Sequence, residues 1–334
     1  MQIIKHSTLF IGIGISVMLA AIAIIAFVGI RPGIDFTGGS LTEVVYDVVP
    51  ALEVVEQRVS TELEFEGVSV RETRETDGRA GYIVRTRDLS DPERQQLSDA
   101  LVALGEGGEI IRFTSIGPVI GQELAEKAKW AIAGIAFIII LYIGLAFIGV
   151  GYPVRSWVYG GITIVALIHD VLVPTALMSI LGVTMGVEAD VLFVTAILAV
   201  LGYSVNDTIV VFDRVRENLQ LHRTEHTTKR KDPTGAIQEE VIYTLDKPFT
   251  EIVNTAVLQT IIRSINTSAT TLLALGALYI FGGSTTQTFA LVLMAGVVAG
   301  TYSSIFLASP LLVFYAKKVG KLDVDAAEEA PSKT

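Results

Sequence analysis

The most informative stretch of the chain is Val191-Leu-Phe-Val-Thr-Ala-Ile-Leu-Ala-Val-Leu-Gly-Tyr-Ser-Val-Asn-Asp-Thr-Ile-Val-Val-Phe212, which is followed directly by Asp213-Arg214. About 20 apolar residues in a helix cross the roughly 30 Å of hydrocarbon in a bilayer. A carboxylate inside such a span costs about 2.5–3.5 kcal/mol on insertion scales. Asp207 lies inside the run, so it needs either a partner or a function.

Five further apolar runs are long enough to span a membrane, whereas the overall composition says little. The chain has 334 residues, of which 51% are hydrophobic, and ordinary soluble domains already reach roughly 45–50%. The grouping of these residues predicts a polytopic α-helical membrane protein with six transmembrane helices. The predicted spans are 9–30, 130–150, 157–181, 191–213, 264–282 and 289–316.

The first span is predicted to be an uncleaved anchor. Its apolar core is longer than the roughly 7–15 residues of a signal-peptide core. It runs into Arg31-Pro-Gly-Ile-Asp35 without an A-x-A-like cleavage site. The chain contains no cysteine, which excludes disulfides, iron–sulfur clusters and thiol catalysis.

The distribution of basic residues predicts the topology, because Lys and Arg select the cytoplasmic side in short loops. Basic residues precede the first span, follow the sixth and are concentrated after the fourth, whereas the loops 182–190 and 283–288 contain none. Both termini, residues 1–8 and 317–334, are therefore expected in the cytoplasm, as is the loop 214–263. The C-terminal tail is expected to be disordered.

Residues 31–129 are then external, and they carry most of the formal net charge of −10. A solvated surface explains this charge, and attraction of basic segments is the alternative. Alternating residues predict strands at 41–47, 67–72, 81–86 and 109–115. Helical spacing and N-cap residues predict helices at 51–66 and from Ser90 to about Leu104. The βαββαβ order predicts a ferredoxin-like α+β domain.

Two spans carry polar faces that suit proton transfer. The face of the fourth span consists of Tyr203, Asn206 and Asp207, and that of the fifth span of Arg263, Thr267 and Thr270. Burial disfavours the charged form of a carboxyl group, so such a group can load and release a proton. Arg263 is the nearest candidate cation for Asp207. The alternatives are a static ion pair or a hydrogen bond between helices.

Three more ionisable residues complete the predicted proton relay. His169 and Asp170 lie near the centre of the third span, and histidine changes charge near pH 6.5. A packed and hydrogen-bonded pair is the alternative for these two residues. Asp213 lies at the cytoplasmic end of the fourth span, where an ion pair that anchors the helix end is the alternative.

The sequence lacks the common nucleotide-binding motifs. It has no Walker A motif and no G-x-G-x-x-G between a strand and a helix, so we expect no ATP-consuming enzyme. His222-Arg-Thr-Glu-His226 matches the H-x-x-E-H pattern of some zinc proteases, and a membrane metalloprotease is one hypothesis. This charged loop offers no clear third ligand, so we assign no metal or cofactor and expect protons as the coupling ion.

Six motifs, in order along nearly the whole chain, resemble the SecF subunits of the SecD/SecF family of protein-export membrane proteins, which belongs to the resistance-nodulation-division superfamily. They are Gly33-Ile-Asp-Phe-Thr-Gly-Gly39, Gly117-Pro-Val-Ile-Gly121, Ala166-Leu-Ile-His-Asp170, the stretch 202–218, Asn266-Thr-Ser-Ala-Thr-Thr-Leu-Leu273 and Gly300-Thr-Tyr-Ser-Ser-Ile-Phe306. By motif position, the resemblance implies that Asp207 is the family's essential membrane aspartate and Arg263 its paired arginine.

The resemblance also implies partners and a location. SecD would complete a twelve-span unit that works with the SecYEG channel and, indirectly, with the motor ATPase SecA in the bacterial plasma (inner) membrane. The unit would use the proton motive force to draw an unfolded polypeptide outward, with lipid but no nucleic acid as a further partner. The alternative is a proton-coupled exporter of lipids or small molecules. The segment 219–248 looks longer than usual in the family and is predicted to be a helical insertion.

Overall fold

Six helices are long and apolar enough to cross a membrane among residues 3–65, 67–75, 78–146, 153–231 and 237–319, which the computed structural model describes. Ahead of the first lies a single 3-10 turn, Ile4–His6. The six spans are built from α1 (Ser7–Val28), α5 (Pro118–Ala146), α6 (Ser156–Met185), α7 (Val191–His222), α8 (Phe249–Phe281) and α9 (Ser284–Tyr302) with α10 (Ser309–Val319). The six-span prediction is confirmed.

Several helices are longer than their apolar runs. α5 begins at Pro118 rather than at residue 130, α7 continues to His222, and α8 begins at Phe249 rather than at residue 264. A hydropathy search detects only the part of a helix that is apolar, so charged turns that extend beyond it are missed. The predicted disordered tail, from residue 320 on, and the segment 147–152 lie outside the described residues.

Residues between α1 and α5 form a separate sheet domain with the predicted βαββαβ order. Its strands are β1 (Gly39–Tyr46), β2 (Ser69–Arg74), β3 (Ala80–Thr86) and β4 (Glu109–Ile116). They pair antiparallel in the order β2-β3-β1-β4, which is the ferredoxin-like arrangement. Its helices are the one-turn α2 (Ile34–Thr37), α3 (Leu52–Gln57), which continues as a π-helical turn, Arg58–Glu62, and α4 (Asp91–Val102).

One face of this sheet carries the domain's apolar core. Val44, Tyr46 and Val84 pack there against Val55 of α3 and Leu97 of α4, and all five side chains are almost fully buried. As predicted, Ser90 is the N-cap residue before α4, and it forms a reciprocal capping box with Glu93. Capping of this kind satisfies two backbone donors that the first helical turn leaves unpaired.

The two chain segments that join the sheet domain to the helices touch each other. Gly38 and Gly39 both have positive φ angles, +76° and +128°, a conformation that favours glycine. A Cβ atom on Gly38 would lie 2.7 Å from Pro118 Cα, and one on Gly121 would lie 2.7 Å from Gly38 N. These glycines therefore allow the entry and exit segments to meet backbone to backbone.

The helical conformation predicted for the insertion is wrong. The segment after α7 is an antiparallel hairpin of β5 (Arg223–Lys231) and β6 (Ile237–Leu245), which pair only with each other among the described strands. Threonines 224, 227 and 228 and the run Val241-Ile-Tyr243 favour strand conformation. This β-propensity is the physical reason for the hairpin. The charged residues that lie among these strand-forming residues made the strand pattern hard to recognise in the sequence.

Glycines bring α7 and α9 into close contact. A Cβ atom on Gly296 would lie 2.1 Å from Val200 Cγ2, and one on Gly300 would lie 3.0 Å from Ser204 Cβ. Helices in membranes associate through such small residues, because lipid removes the hydrophobic drive that operates in water.

Replacing Gly296 by Ala is expected to destabilise the protein by about 1–3 kcal/mol, because the added methyl overlaps a branched side chain. The melting temperature of the purified chain should fall. Gly202→Ala is the matched control, since a Cβ there meets nothing within 4 Å. Equal melting temperatures for the two variants would contradict the close packing of α7 on α9.

Candidate functional site

Asp207 is enclosed between α7 and α8. The residue is only 4% exposed, and its Oδ2 atom makes no hydrogen bond with any described residue. Helix α8, which packs against α7, carries Arg263 and Ser264. Ser264 Oγ is likewise buried and without a hydrogen bond in the described part of the chain. Asp207 thus has one buried oxygen free to accept a proton.

Hydroxyl groups continue from this carboxyl into the neighbouring helices. Ser268 follows Ser264 by one turn of α8, and both are buried. Tyr203 Oη donates to Ser268 Oγ at 3.1 Å, and Ser268 Oγ lies 2.5 Å from Thr301 Oγ1 of α9. These bonds join α7, α8 and α9 next to Asp207. Hydroxyl groups both donate and accept, so they can orient a proton carrier or pass a proton along.

Asp170 is the centre of a second buried polar cluster, which joins α6, α7 and the last span. Its Oδ1 lies 2.7 Å from His169 Nδ1. Its Oδ2 accepts hydrogen bonds from Ser204 Oγ of α7 and from Ser303 Oγ, the latter at 2.6 Å. Asp170 is fully buried and His169 is 2% exposed. Three donors therefore surround one carboxylate in the interior of the bundle.

The backbone changes its winding where Ser303 reaches Asp170. Ser303–Ala308 form a π-helical segment between α9 and α10, and such segments are frequent at functional sites. The His169 ring packs beside Tyr302, with 5.8 Å between ring centroids. Among the described residues, none bonds the buried Nε2 atom of His169.

The structure separates the residues predicted for the relay. Asp207 lies on α7 and Arg263 on the neighbouring α8, where Arg263 is exposed and no ion pair joins the two in the described residues, while His169 and Asp170 form the second cluster. Asn206, Thr267 and Thr270 are exposed on the surface of the single chain. Thr267 Oγ1 and Thr270 Oγ1 donate to carbonyls of their own helix, those of Arg263 and Thr267, each at 2.9 Å.

Asp213 and the two histidines of the H-x-x-E-H pattern lie elsewhere. Asp213 is exposed and pairs with Arg216, one turn away, at 3.3 Å. His222 ends α7 and contacts Asp246 at 2.9 Å, whereas His226 belongs to strand β5. The two histidines therefore do not share a helix, as a zinc-binding pair of this kind would require.

Four hydroxyl-bearing residues of these clusters were not predicted from the sequence as part of the proton relay: Ser204, Ser264, Thr301 and Ser303. Serine and threonine are common in membrane helices, where they bond to their own backbone or to neighbouring helices. Only the packing of the helices decides which of them reach a carboxylate. The single sequence signal is spacing. Ser204 lies three residues before Asp207, and Ser264 lies one residue after Arg263.

Comparisons with known proteins match both the sequence and the fold. The family model described as "Protein export membrane protein SecD/SecF, C-terminal" matches residues 96–236 and 233–318, and that of the "SecD/SecF GG Motif" matches residues 23–48. The protein translocase subunit SecF of Thermobaculum terrenum is 39% identical over 87% of this chain and 86% of its own length. That of Anaerolinea thermophila is 37% identical over 94% of each chain.

Longer relatives contain a similar part. The crystal structure of SecDF from Thermus thermophilus, titled a translocon-associated membrane protein, superposes with a TM-score of 0.75 at 28% identity. The match covers 95% of this chain and 39% of that one. A structure of SecDF in a super-membrane-facing form gives a TM-score of 0.62 at 29% identity. This multi-pass membrane chain belongs to the SecD/SecF family of protein-export membrane proteins.

Proposed function

We propose that this chain is the SecF subunit of a preprotein translocase, which with SecD uses the proton motive force to promote protein export. The observation that carries the proposal is the buried Asp207 carboxyl, one oxygen of which makes no hydrogen bond with any described residue, in a chain of this family. The complex would lie in the bacterial inner membrane, with both termini cytoplasmic and the sheet domain outside. SecYEG, indirectly SecA, and the unfolded exported chain would be its partners. We assign no enzymatic step and no cofactor besides protons.

Asp207 differs from Asp170 in the hydrogen bonds that its carboxyl oxygens accept. Asp170 has donors from three residues, His169, Ser204 and Ser303. Asp207 has one oxygen without a hydrogen bond among the described residues. Asp207 can therefore gain a proton without breaking an existing bond, whereas protonation of Asp170 would disturb three helices. This contrast supports Asp207 as the group that exchanges protons and Asp170 as a fixed junction that the exchange can influence.

Arg263 supports the same role by balancing charge. A charged carboxylate in a low-dielectric site needs a counter-charge nearby, and a neutral one does not. When Asp207 is protonated, the attraction between α7 and Arg263 of α8 disappears. Loading a proton would therefore change the preferred contact between these two helices, which is the kind of step that couples proton transfer to movement.

Asp207→Asn is expected to abolish proton-dependent stimulation of export while the chain still inserts and assembles with SecD. Asparagine preserves the shape of the side chain but cannot exchange the proton. The measurement is export into membrane vesicles with and without a proton gradient. Glu217→Gln is the control, because it removes an exposed carboxylate that pairs with Arg214 on the same helix. Normal stimulation in the Asp207→Asn variant would refute the role of Asp207.

The exposed polar face of α7 and α8 supports a protein partner within the membrane. Asn206, Thr267 and Thr270 are exposed there beside Ile262 and Ile265, which are 69% and 50% exposed. Polar side chains in a span normally face protein rather than lipid. The SecF-like part of Thermus SecDF is joined to a second, longer part of the same chain, so SecD is the occupant we propose.

Single cysteines at Thr267 or Thr270 are expected to cross-link to SecD in membranes. The chain has no cysteine of its own, so the label has one site. Leu19→Cys on α1 is the control, since Leu19 is 61% exposed on an apolar helix and is expected to meet lipid. Equal cross-linking from α1 and α8, or none from α8, would contradict this interface.

A further inference from the structure

The second face of the sheet, opposite its apolar core, is charged and lies against the helical bundle. Arg71, Ile83, Glu43 and Arg112 stand directly opposite one another on β2, β3, β1 and β4. Residues paired in this way project from the same face of a sheet. Arg85 lies two residues from Ile83 and so belongs to this face as well.

Arg85 contacts both the bundle and the segment that enters the sheet domain. Its guanidinium lies 2.5 Å from Glu188 Oε1, in the loop between α6 and α7. It also donates to Pro32 O at 3.2 Å and to Thr37 Oγ1 at 2.7 Å. One side chain thus binds the segment that enters the sheet domain and the loop that leads into α7.

A second polar contact lies at the start of α9. Arg112 pairs with Glu43 at 2.8 Å and donates to Thr285 Oγ1 at 2.8 Å. Glu43 also accepts a hydrogen bond from Ser284 Oγ at 3.2 Å. The sheet domain is therefore held to the loop before α7 by an ion pair and to the first turn of α9 by hydrogen bonds.

This interface is loosely packed compared with the interior of either part. Cavities of about 240 and 520 Å³ lie between the sheet and the bundle, and Arg71 lines both. Burial lowers the pKa of the Arg71 guanidinium, so the site is partly shielded from water. In the described parts of the chain, no cluster of buried apolar side chains spans the two units. Separation would therefore expose little apolar surface, which favours relative movement.

The loop that holds Glu188 passes directly into the helix that holds Asp207. Ala189 pairs with the entry segment, donating to Arg31 O at 2.8 Å and accepting from Gly33 N at 2.7 Å. Asp35 Oδ2 accepts a hydrogen bond from Val191 N, the first residue of α7, at 2.8 Å. A shift of α7 along its axis would thus act on the base of the sheet domain.

We propose that Arg85 is the positioning residue that transmits a displacement of α7 to the sheet domain, with the pair Arg85–Glu188 as the releasable contact. The touching glycine segments, Gly38–Gly39 and Gly117–Gly121, lie next to Thr37, which Arg85 binds, and are the pivot of the domain. This inference rests on the proposed function, because it supplies the step between proton exchange at Asp207 and movement outside the membrane. Arg85 itself does not contact the transferred proton in this proposal.

The test separates proton movement from export. SecD and the variant SecF are reconstituted with the translocation channel in proteoliposomes, and proton entry and export are measured in the same vesicles. Arg85→Gln, and separately Glu188→Gln, should keep proton entry at the wild-type level and lose most of the proton-dependent stimulation of export. The double variant Arg85→Glu/Glu188→Arg should regain part of it, since it restores the ion pair but not the bonds to Pro32 and Thr37.

Arg79→Gln is the matched control, because Arg79 forms an ion pair with Glu109 at 2.6 Å inside the sheet domain. It should leave both measurements unchanged. The proposal is overturned if Arg85→Gln behaves like Arg79→Gln, or if it loses proton entry together with export. Asp207→Asn in the same vesicles reports on the proposed function separately, because there proton entry itself should be lost.

Discussion

A carboxyl group enclosed by membrane helices has no water to solvate its charge, and this constraint organises the helical bundle. The described residues include two such groups, Asp207 and Asp170, and Asp170 gathers hydroxyl groups from two neighbouring helical segments. Hydrogen bonds between helices fix their contacts where lipid provides no hydrophobic drive. Asp170 thus helps to fix how α6 and α7 meet the last span, and the unbonded oxygen of Asp207 stays free to exchange a proton.

Helix α7 is common to every part of this arrangement. It carries Asp207, it supplies Ser204 to Asp170, and its first turn is held by Asp35 of the sheet domain. Its close contact with Gly296 and Gly300 of α9 leaves little room for sideways displacement. α7 can therefore move only along its axis or by rotating about it. Either movement would displace Glu188. A single helix connects the membrane carboxyls with the domain outside the bundle.

The sequence patterns predicted the architecture of the protein better than they predicted the contacts between its side chains. Apolar runs and alternating strands are local properties, so the six spans and the βαββαβ domain followed from them. The charge in the run 191–212 likewise pointed to Asp207. By contrast, Thr267 and Thr270 were placed beside the carboxyl by helical spacing, yet they face outward, because spacing defines a face and not the direction in which it points. The roles of Ser204 and Ser303 depend on how the helices pack. The hairpin after α7 depends on residues with strand propensity, which alternate with charged residues in the sequence.

The most direct test of the central claim is infrared difference spectroscopy on the SecD–SecF pair in sealed vesicles while a proton gradient is imposed and collapsed. Protonated carboxyl groups absorb apart from ionised ones, so a single exchanging group can be followed by comparison with a variant. The account predicts a carboxyl band that changes with the gradient in the wild-type protein and is missing in Asp207→Asn. An identical response from the two proteins would contradict the assignment of Asp207 as the group that exchanges protons.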